Sequence, residues 1–318
     1  MQFFQDADYK FIEHRRKAYT VSAIVVGVGI LAMLLFAATG RGWVNYGVDF
    51  TGGTIMQVEF AQPIQVGELR AALGELPTAE ITQFGAANEF LVRVPDFAEA
   101  EITVSEVMMG MLDESFGPAA YEVARVEAVG PTIGAELQQR ALIAILLSFV
   151  LTLVYLAFRF EWRFGVAAVI AAMHDILITL GFLALFRIEV SLPTVAAVLT
   201  IIGYSLNDTI VVFDRIRENL KKGARRVPYI DILNRSINDV LPRTVMTSGT
   251  TFVVLLSLFV LGGAIIRDFA MILMLGVLIG TYSSIFVAAP ALLEIEERTG
   301  EKHPTPKARA KPAKAAQA

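Results

Sequence analysis

An Asn207-Asp208 pair interrupts the segment from Thr200 to Asn219, TIIGYSLNDTIVVFDRIREN, which is otherwise apolar enough to enter a membrane. A carboxyl in hydrocarbon costs about 2.5–3.5 kcal/mol on insertion scales, so such an acid marks a functional site. Arg243, with Thr247 and Ser248 about one turn further on, opens another apolar stretch, and His174 and Asp175 lie inside a third. Desolvation favours the protonated form of a carboxyl and a nearby cation favours the ionised form, so a movable Arg243 opposite Asp208 makes a proton switch. A charge crossing 100 mV releases about 2.3 kcal/mol, comparable to the cost of burying the acid. At a rise of about 1.5 Å per residue, Asp208 sits roughly 7–8 Å from the cytoplasmic end of its span, level with an inward-reaching Arg243. The same rise puts Asp175 about 16 Å deep, a second carboxyl on the same route, while the adjacent His174 falls on a different helix face. The bland alternative is an Asp208–Arg243 pair that only fixes helix packing.

The elements that hold these residues are membrane spans. Hydrophobic residues make up 55% of the 318-residue chain and charged residues 18%, with a mean hydropathy of +0.58. That exceeds what a soluble core of this length needs. Six stretches approach the ~20 residues that cross a bilayer core: Val21 to Thr39, Ala141 to Phe158, Phe164 to Phe186, Val190 to Phe213, Thr244 to Ile266 and Phe269 to Leu293. The first follows Lys10, Arg15, Arg16 and Lys17, but its apolar run is longer than the roughly 7–15 residues of a signal-peptide core, so it reads as a retained anchor. Gly276 and Gly280 have the G-x-x-x-G spacing that lets helices approach closely.

With the N-terminus inside, the cytoplasmic segments hold 20 of the 27 Lys and Arg residues, which places both termini in the cytoplasm. The residues from Gly40 to Glu136 carry 4 Arg, no Lys and 15 acids, a composition suited to the outer side. The chain thus divides into 1–40, an external domain at 41–136, a helical bundle at 137–295 and a tail at 296–318 expected to be disordered. The external domain reads as strand (Thr54 to Phe60), helix (Val66 to Leu76), strands (Glu80 to Phe84, Glu89 to Val94) joined by a turn at Gly85 to Asn88, helix (Ala98 to Phe116) and strand (Ala120 to Ala128). That βαββαβ order predicts a small α+β, ferredoxin-like fold. The domain lacks histidine, so no His-based triad or zinc cluster is expected there; it reads as a binding domain with a solvated acidic surface. Asp214 to Arg243 carries Tyr229, Leu233, Ile237, Val240 and Leu241 at helical spacing beside Lys221, Lys222, Arg225 and Arg226, which predicts an amphipathic helix on the cytoplasmic membrane surface. Positive loops beside spans are ordinary, so no nucleic-acid partner is inferred.

Other chemistry has little basis. There is no cysteine, P-loop or HExxH, hence no thiolate chemistry, nucleotide hydrolysis, cofactor or metal centre is expected, and the chain does not read as an enzyme. Asp175 and Asp208 as an intramembrane aspartyl protease pair would need YD and GxGD contexts where the chain has MHD and LND.

GVDFTGGT (Gly47 to Thr54), HDIL (His174 to Leu177), GYSLNDTIVVFDRIREN (Gly203 to Asn219) and SINDVLPRTVMTS (Ser236 to Ser248) resemble the SecD/SecF protein-export family of the resistance-nodulation-division superfamily. The likeness covers nearly the whole chain in order and spacing. It implies a pairing with SecD in a pseudo-symmetric unit that associates with the SecYEG channel, often with YajC and YidC. Such a unit uses the proton gradient, or sodium in some organisms, to complete translocation of unfolded preprotein. It also implies that Asp208 is the essential intramembrane carboxylate and Arg243 its basic partner, with Asn207, Thr247 and Ser248 around them. A half-transporter for small molecules or lipids, or a structural assembly subunit, are the alternatives.

Overall fold

The computed structural model describes residues 7–74, 76, 79–83, 86–94, 103–223 and 227–299. Among them are six helices long and apolar enough to cross a membrane, and a small sheet domain between the first and second. The spans are α1 (Arg15–Ala38), α5 (Pro131–Arg159), α6 (Trp162–Leu185), α7 (Leu192–Gly223), α8 (Tyr229–Leu261) and α9 (Ala264–Ser283), which runs on through residues 284–288 into α10 (Ala289–Thr299). Residues 284–288 form a π-helical turn. Pro290 lacks an N–H and its ring would clash with the carbonyl four residues earlier, so widening the helix there relieves the conflict.

Small residues set the closest helix crossings. A Cβ on Gly29 of α1 would lie 2.7 Å from the Cα of Gly181 on α6, so these helices touch backbone to backbone. Gly276 and Gly280 of α9 press against Ile201 and Ser205 of α7, where a Cβ on Gly280 would be 3.0 Å from Ser205 Cα. The G-x-x-x-G spacing therefore marks a real contact, between α9 and the helix that carries Asp208. In contrast α5 leaves Leu142, Leu146 and Val150 exposed, as a lipid-facing helix does.

At the end of the bundle away from the sheet domain, Phe160, Phe164 and Phe213 pack edge-on and in stacks, with Ile216, Leu233 and Ile237 in the same core. The face at Tyr229, Leu233, Ile237, Val240 and Leu241 is buried as the spacing predicts, but against protein and not on a lipid surface. The segment is simply the first half of α8, which continues through Pro242 into the bilayer; Arg225 and Arg226 lie outside the described residues. Asn234 and Asn238, one turn apart, grip the incoming N-terminal segment. Asn238 Oδ1 accepts from Tyr9 N–H at 3.0 Å and its Nδ2 donates to Tyr9 O at 2.8 Å, while Asn234 Oδ1 accepts from Ile12 N–H at 3.0 Å.

In the external domain, β2 (Gly53–Phe60), α3 (Val66–Ala72), β3 (Glu80–Gln83), β4 (Glu89–Val94), α4 (Val104–Phe116) and β5 (Tyr121–Val129) follow one another, and the antiparallel sheet has the order β3-β4-β2-β5. Met56, Val58 and Phe60 pack with Leu69 of α3, Leu73 just after it, and Met108 and Leu112 of α4. Helix α4 begins at Val104, where Thr103 and Glu106 form a capping box, Glu106 Oε2 accepting from Thr103 N–H at 3.2 Å. The expected helical start at Ala98 and the turn residue Gly85 lie outside the described residues.

The domain is joined to the bundle at two short strands, β1 (Asn45–Tyr46) and β6 (Glu189–Val190), paired in parallel, and at a single helical turn, α2 (Val48–Thr51). Asp49 Oδ2 accepts the N–H of Leu192 at 2.7 Å, tying the GVDFTGG loop to the first residue of α7. Arg93 of β4 forms an ion pair with Glu189 of β6. Burial pushes the Glu189 carboxyl above the ordinary carboxylate range, and Arg93 opposes that shift. A raised acid stabilises the fold fully below its unfolded pKa and loses that contribution as pH rises through the folded value. Arg93→Gln removes the opposing charge, so its thermal stability should fall more steeply than wild type's between pH 5 and pH 8. Parallel melting curves in detergent would disprove the coupling.

Candidate functional site

Two polar clusters lie side by side within the bundle, each built around one carboxyl. Asp208 is buried at 3% exposure on α7 and accepts a hydrogen bond from Ser248 Oγ of α8 at 3.3 Å. Ser248 is in turn 2.7 Å from Thr281 Oγ1 of α9, so three spans meet at this acid. Asp175 of α6 is 1% exposed, and its Oδ2 accepts from Ser205 Oγ of α7 and from Ser283 Oγ of α9, the latter at 2.8 Å. His174 Nδ1 is 2.8 Å from Asp175 Oδ1, and His174 Nε2 is 3.0 Å from Ser22 Oγ of α1.

The expected residues divide into those that meet and those that do not. Ser248 joins Asp208 as predicted. Arg243 does not: its side chain is exposed and makes no ion pair with Asp208 within 4.0 Å, so its charge acts there only through space. It lies five residues before Ser248, roughly 7–8 Å along the helix, which leaves it short of the acid. Asn207 is exposed because one residue turns about 100° around a helix away from the buried Asp208. Thr247 is exposed too, and its hydroxyl donates back to its own helix at Arg243 O and Thr244 O. Asp175 is level with Ser205, which precedes Asp208 by three residues, so the two acids are separated by about one helical turn.

His174 also departs from expectation. Neighbouring positions on a helix point about 100° apart, yet the imidazole folds back over its own turn and reaches the Asp175 carboxyl. Ser22, Ser205, Thr281, Tyr282 and Ser283 were not singled out by the sequence. In an apolar span a hydroxyl ordinarily satisfies itself on a carbonyl of the preceding turn, as Thr200 and Thr250 do, so its type alone does not reveal a partner. The only available signal was position: Ser205 precedes Asp208 by three residues, on the same helix face.

Together the clusters place one carboxyl on each of two adjoining helices, surrounded by hydroxyls that can follow a change of protonation. A protease dyad needs two carboxyls sharing one proton; no hydrogen bond joins Asp175 to Asp208 among the described residues.

Residues 110–298 match a family profile described as protein export membrane protein SecD/SecF, C-terminal, and residues 43–64 match the SecD/SecF GG motif. The chain belongs to the SecD/SecF family. It is 46% identical over 306 residues to the protein translocase subunit SecF of Gemmatimonas aurantiaca, covering 94% of this chain and 90% of that one. It is 40% identical over 300 residues to SecF of Escherichia coli O157:H7, covering 92% of each. The crystal structure of SecDF, a translocon-associated membrane protein from Thermus thermophilus, superposes with a TM-score of 0.80 at 41% identity, over 94% of this chain and 40% of that chain. SecDF in a super-membrane-facing form gives 0.66 over 92% of this chain and 39% of its own. The chain therefore spans about 40% of the length of the SecDF polypeptides. The GG motif of the family falls on the joint already described, from Trp43 through β2, and the C-terminal region takes in both acids, Asp175 and Asp208.

Proposed function

We propose that this chain is the SecF-type subunit of a bacterial protein translocase, a multi-pass protein of the inner membrane that works with SecD. In this reading an ion gradient, by protons or sodium, drives protonation changes at Asp208 that shift α7 and α8 and move the external domain against emerging preprotein. Arg243, Asn207, Thr247, Ser248, Asp175 and His174 are the associated residues, with the SecYEG channel, YajC and YidC as further partners. The distribution of Lys and Arg supports cytoplasmic termini.

One observation carries the pairing. Around the buried Asp208, the outer faces of α7 and α8 carry Asn207, Arg243 and Thr247, all exposed, in spans whose surroundings are otherwise hydrocarbon. Uncovered polar and charged groups at that depth are costly in lipid, and a second bundle of helices with complementary polar groups relieves the cost. SecD is that bundle in this reading, and Arg243 completes its electrostatic partnership only across the interface. A photo-crosslinking residue at position 207 should therefore capture SecD in membranes, whereas one at the lipid-facing Leu146 should not. Capture of lipid alone at position 207, in a complex that still co-purifies, would place the interface elsewhere.

A further inference from the structure

The hydrogen bonds around His174 run on beyond Ser22. Ser22 Oγ is 3.1 Å from Tyr282 Oη, and Tyr282 Oη donates to Ala18 O at 3.0 Å. His174 and Tyr282 also stack, with ring centroids 6.1 Å apart and planes at 26°. One unbroken chain thus links Asp175 and His174 of α6, Ser22 and Ala18 of α1, and Tyr282 of α9.

Counting donors along that chain fixes where the hydrogens are. A backbone carbonyl only accepts, so the Tyr282 hydroxyl hydrogen is committed to Ala18 O. Ser22 must then donate to Tyr282 Oη, which leaves Ser22 Oγ to accept from His174, and Nε2 carries a hydrogen. On the other side Asp175 Oδ2 accepts from Ser205 and Ser283. The remaining contact, His174 Nδ1 to Asp175 Oδ1 at 2.8 Å, needs one further hydrogen between two atoms that would otherwise be facing lone pairs. Whether it rests on nitrogen or oxygen, the pair as packed holds one proton more than a neutral imidazole beside a carboxylate.

We propose that His174 and Asp175 form a second proton-binding site, distinct from the Asp208 cluster, whose loaded state locks α1 and α9 onto α6 through Ser22 and Tyr282. The proposal rests on the proton-driven reading above and deepens it by assigning a second loading step within this chain. Loading adds one proton between Nδ1 and Oδ1. Unloading returns it to water and leaves three hydrogens for four contacts, so one link is lost, by the imidazole turning from Asp175 and Ser22 or by Ser22 turning from Tyr282, and the α1–α6–α9 contact is freed.

The titratable groups facing the pair are few. From α9 it is Tyr282, and from α7 it is Asp208, one turn from Ser205. On α1, Tyr19, one turn toward the N-terminus from Ser22, interacts with Glu294 of α10 and with Arg15. Of these only Tyr282 belongs to the hydrogen-bonded chain, and its hydrogen is committed to Ala18 O, so the pair exchanges its proton as a unit.

The test is a pH titration by infrared difference spectroscopy of the chain co-purified with SecD in lipid nanodiscs. In an Asp208→Asn background, a carboxyl or imidazole titration signal should persist, and it should vanish in Asp208→Asn/Asp175→Asn and shift in Asp208→Asn/Ser22→Ala. Ser22→Ala leaves both titrating groups in place, so a change there reports the hydrogen-bonded chain and not a loss of folding. Spin labels on α1 and α9 should separate at high pH in wild type, and His174→Gln should abolish that pH response. An identical spectrum with and without Asp175, or a wild-type distance response in His174→Gln, overturns the site. Neither result bears on Asp208, whose own role is read separately from export by Asp208→Asn.

Discussion

Asp208→Asn should leave the complex assembled and remove the gradient-dependent part of preprotein export. Asparagine is nearly isosteric with aspartate and still accepts from Ser248 Oγ, so the contact among α7, α8 and α9 survives. It cannot exchange a proton, and one charge moved through 100 mV is worth about 2.3 kcal/mol, so the loss reaches roughly 50-fold where that energy limits the rate. The measurement is export into membrane vesicles with the gradient intact or collapsed by an ionophore. Wild type should show a large difference between the two conditions, and the variant none. A purely structural subunit predicts the opposite pattern, with deletion of the whole protein harmful and Asp208→Asn silent.

Gly52→Val should disable the protein by a different route, through the joint between the external domain and the bundle. Gly52 has φ +77° and ψ 162°, a region that is essentially restricted to glycine. A Cβ there would also lie 2.8 Å from Pro131 Cα and 2.9 Å from Pro131 N at the start of α5, while Gly134 of α5 returns the contact, its own Cβ position falling 2.9 Å from Gly52 N. Backbone strain of about 1–3 kcal/mol adds to an overpacking cost of about 1–3 kcal/mol, because neither neighbour is a flexible side-chain tip. The expected outcome is a lowered melting temperature, proteolysis near residues 43–64 and a loss of export, in a chain whose Asp208 cluster is untouched. Wild-type melting and protease resistance would show that the loop tolerates a side chain and that the close approach is unimportant.

These two variants separate the proposed proton step at Asp208 from the joint between the sheet domain and the bundle. Asp208 lies in the middle of α7, and the first residue of α7 is held by Asp49 of the GVDFTGG loop, with Glu189 just before it paired to Arg93 of the external sheet. On the proposed reading, a displacement of α7 along its axis would reach β2 and β4 through groups that are already in contact.

Much of this was legible in the sequence. Six apolar runs gave six spans, because hydrocarbon imposes a length and a composition on any helix that crosses it. The alternation at Met56, Val58 and Phe60 gave the first external strand, since a sheet with one covered face repeats every two residues. Asp208 was conspicuous because a carboxyl is expensive where it sits, and Ser248 followed from it. The tertiary structure alone decided the company each residue keeps. Arg243 and Thr247 turned to the outer face, His174 bent back to Asp175, and Ser22, Ser205, Tyr282 and Ser283 came together on α6 from three other helices. Chain periodicity fixes which face of a helix is apolar, but the rotation and height of one helix against another are set by backbone contacts such as Gly29 on Gly181 and Gly280 on Ser205. Those contacts involve residues far apart along the chain, and only their packing says which hydroxyl meets which acid.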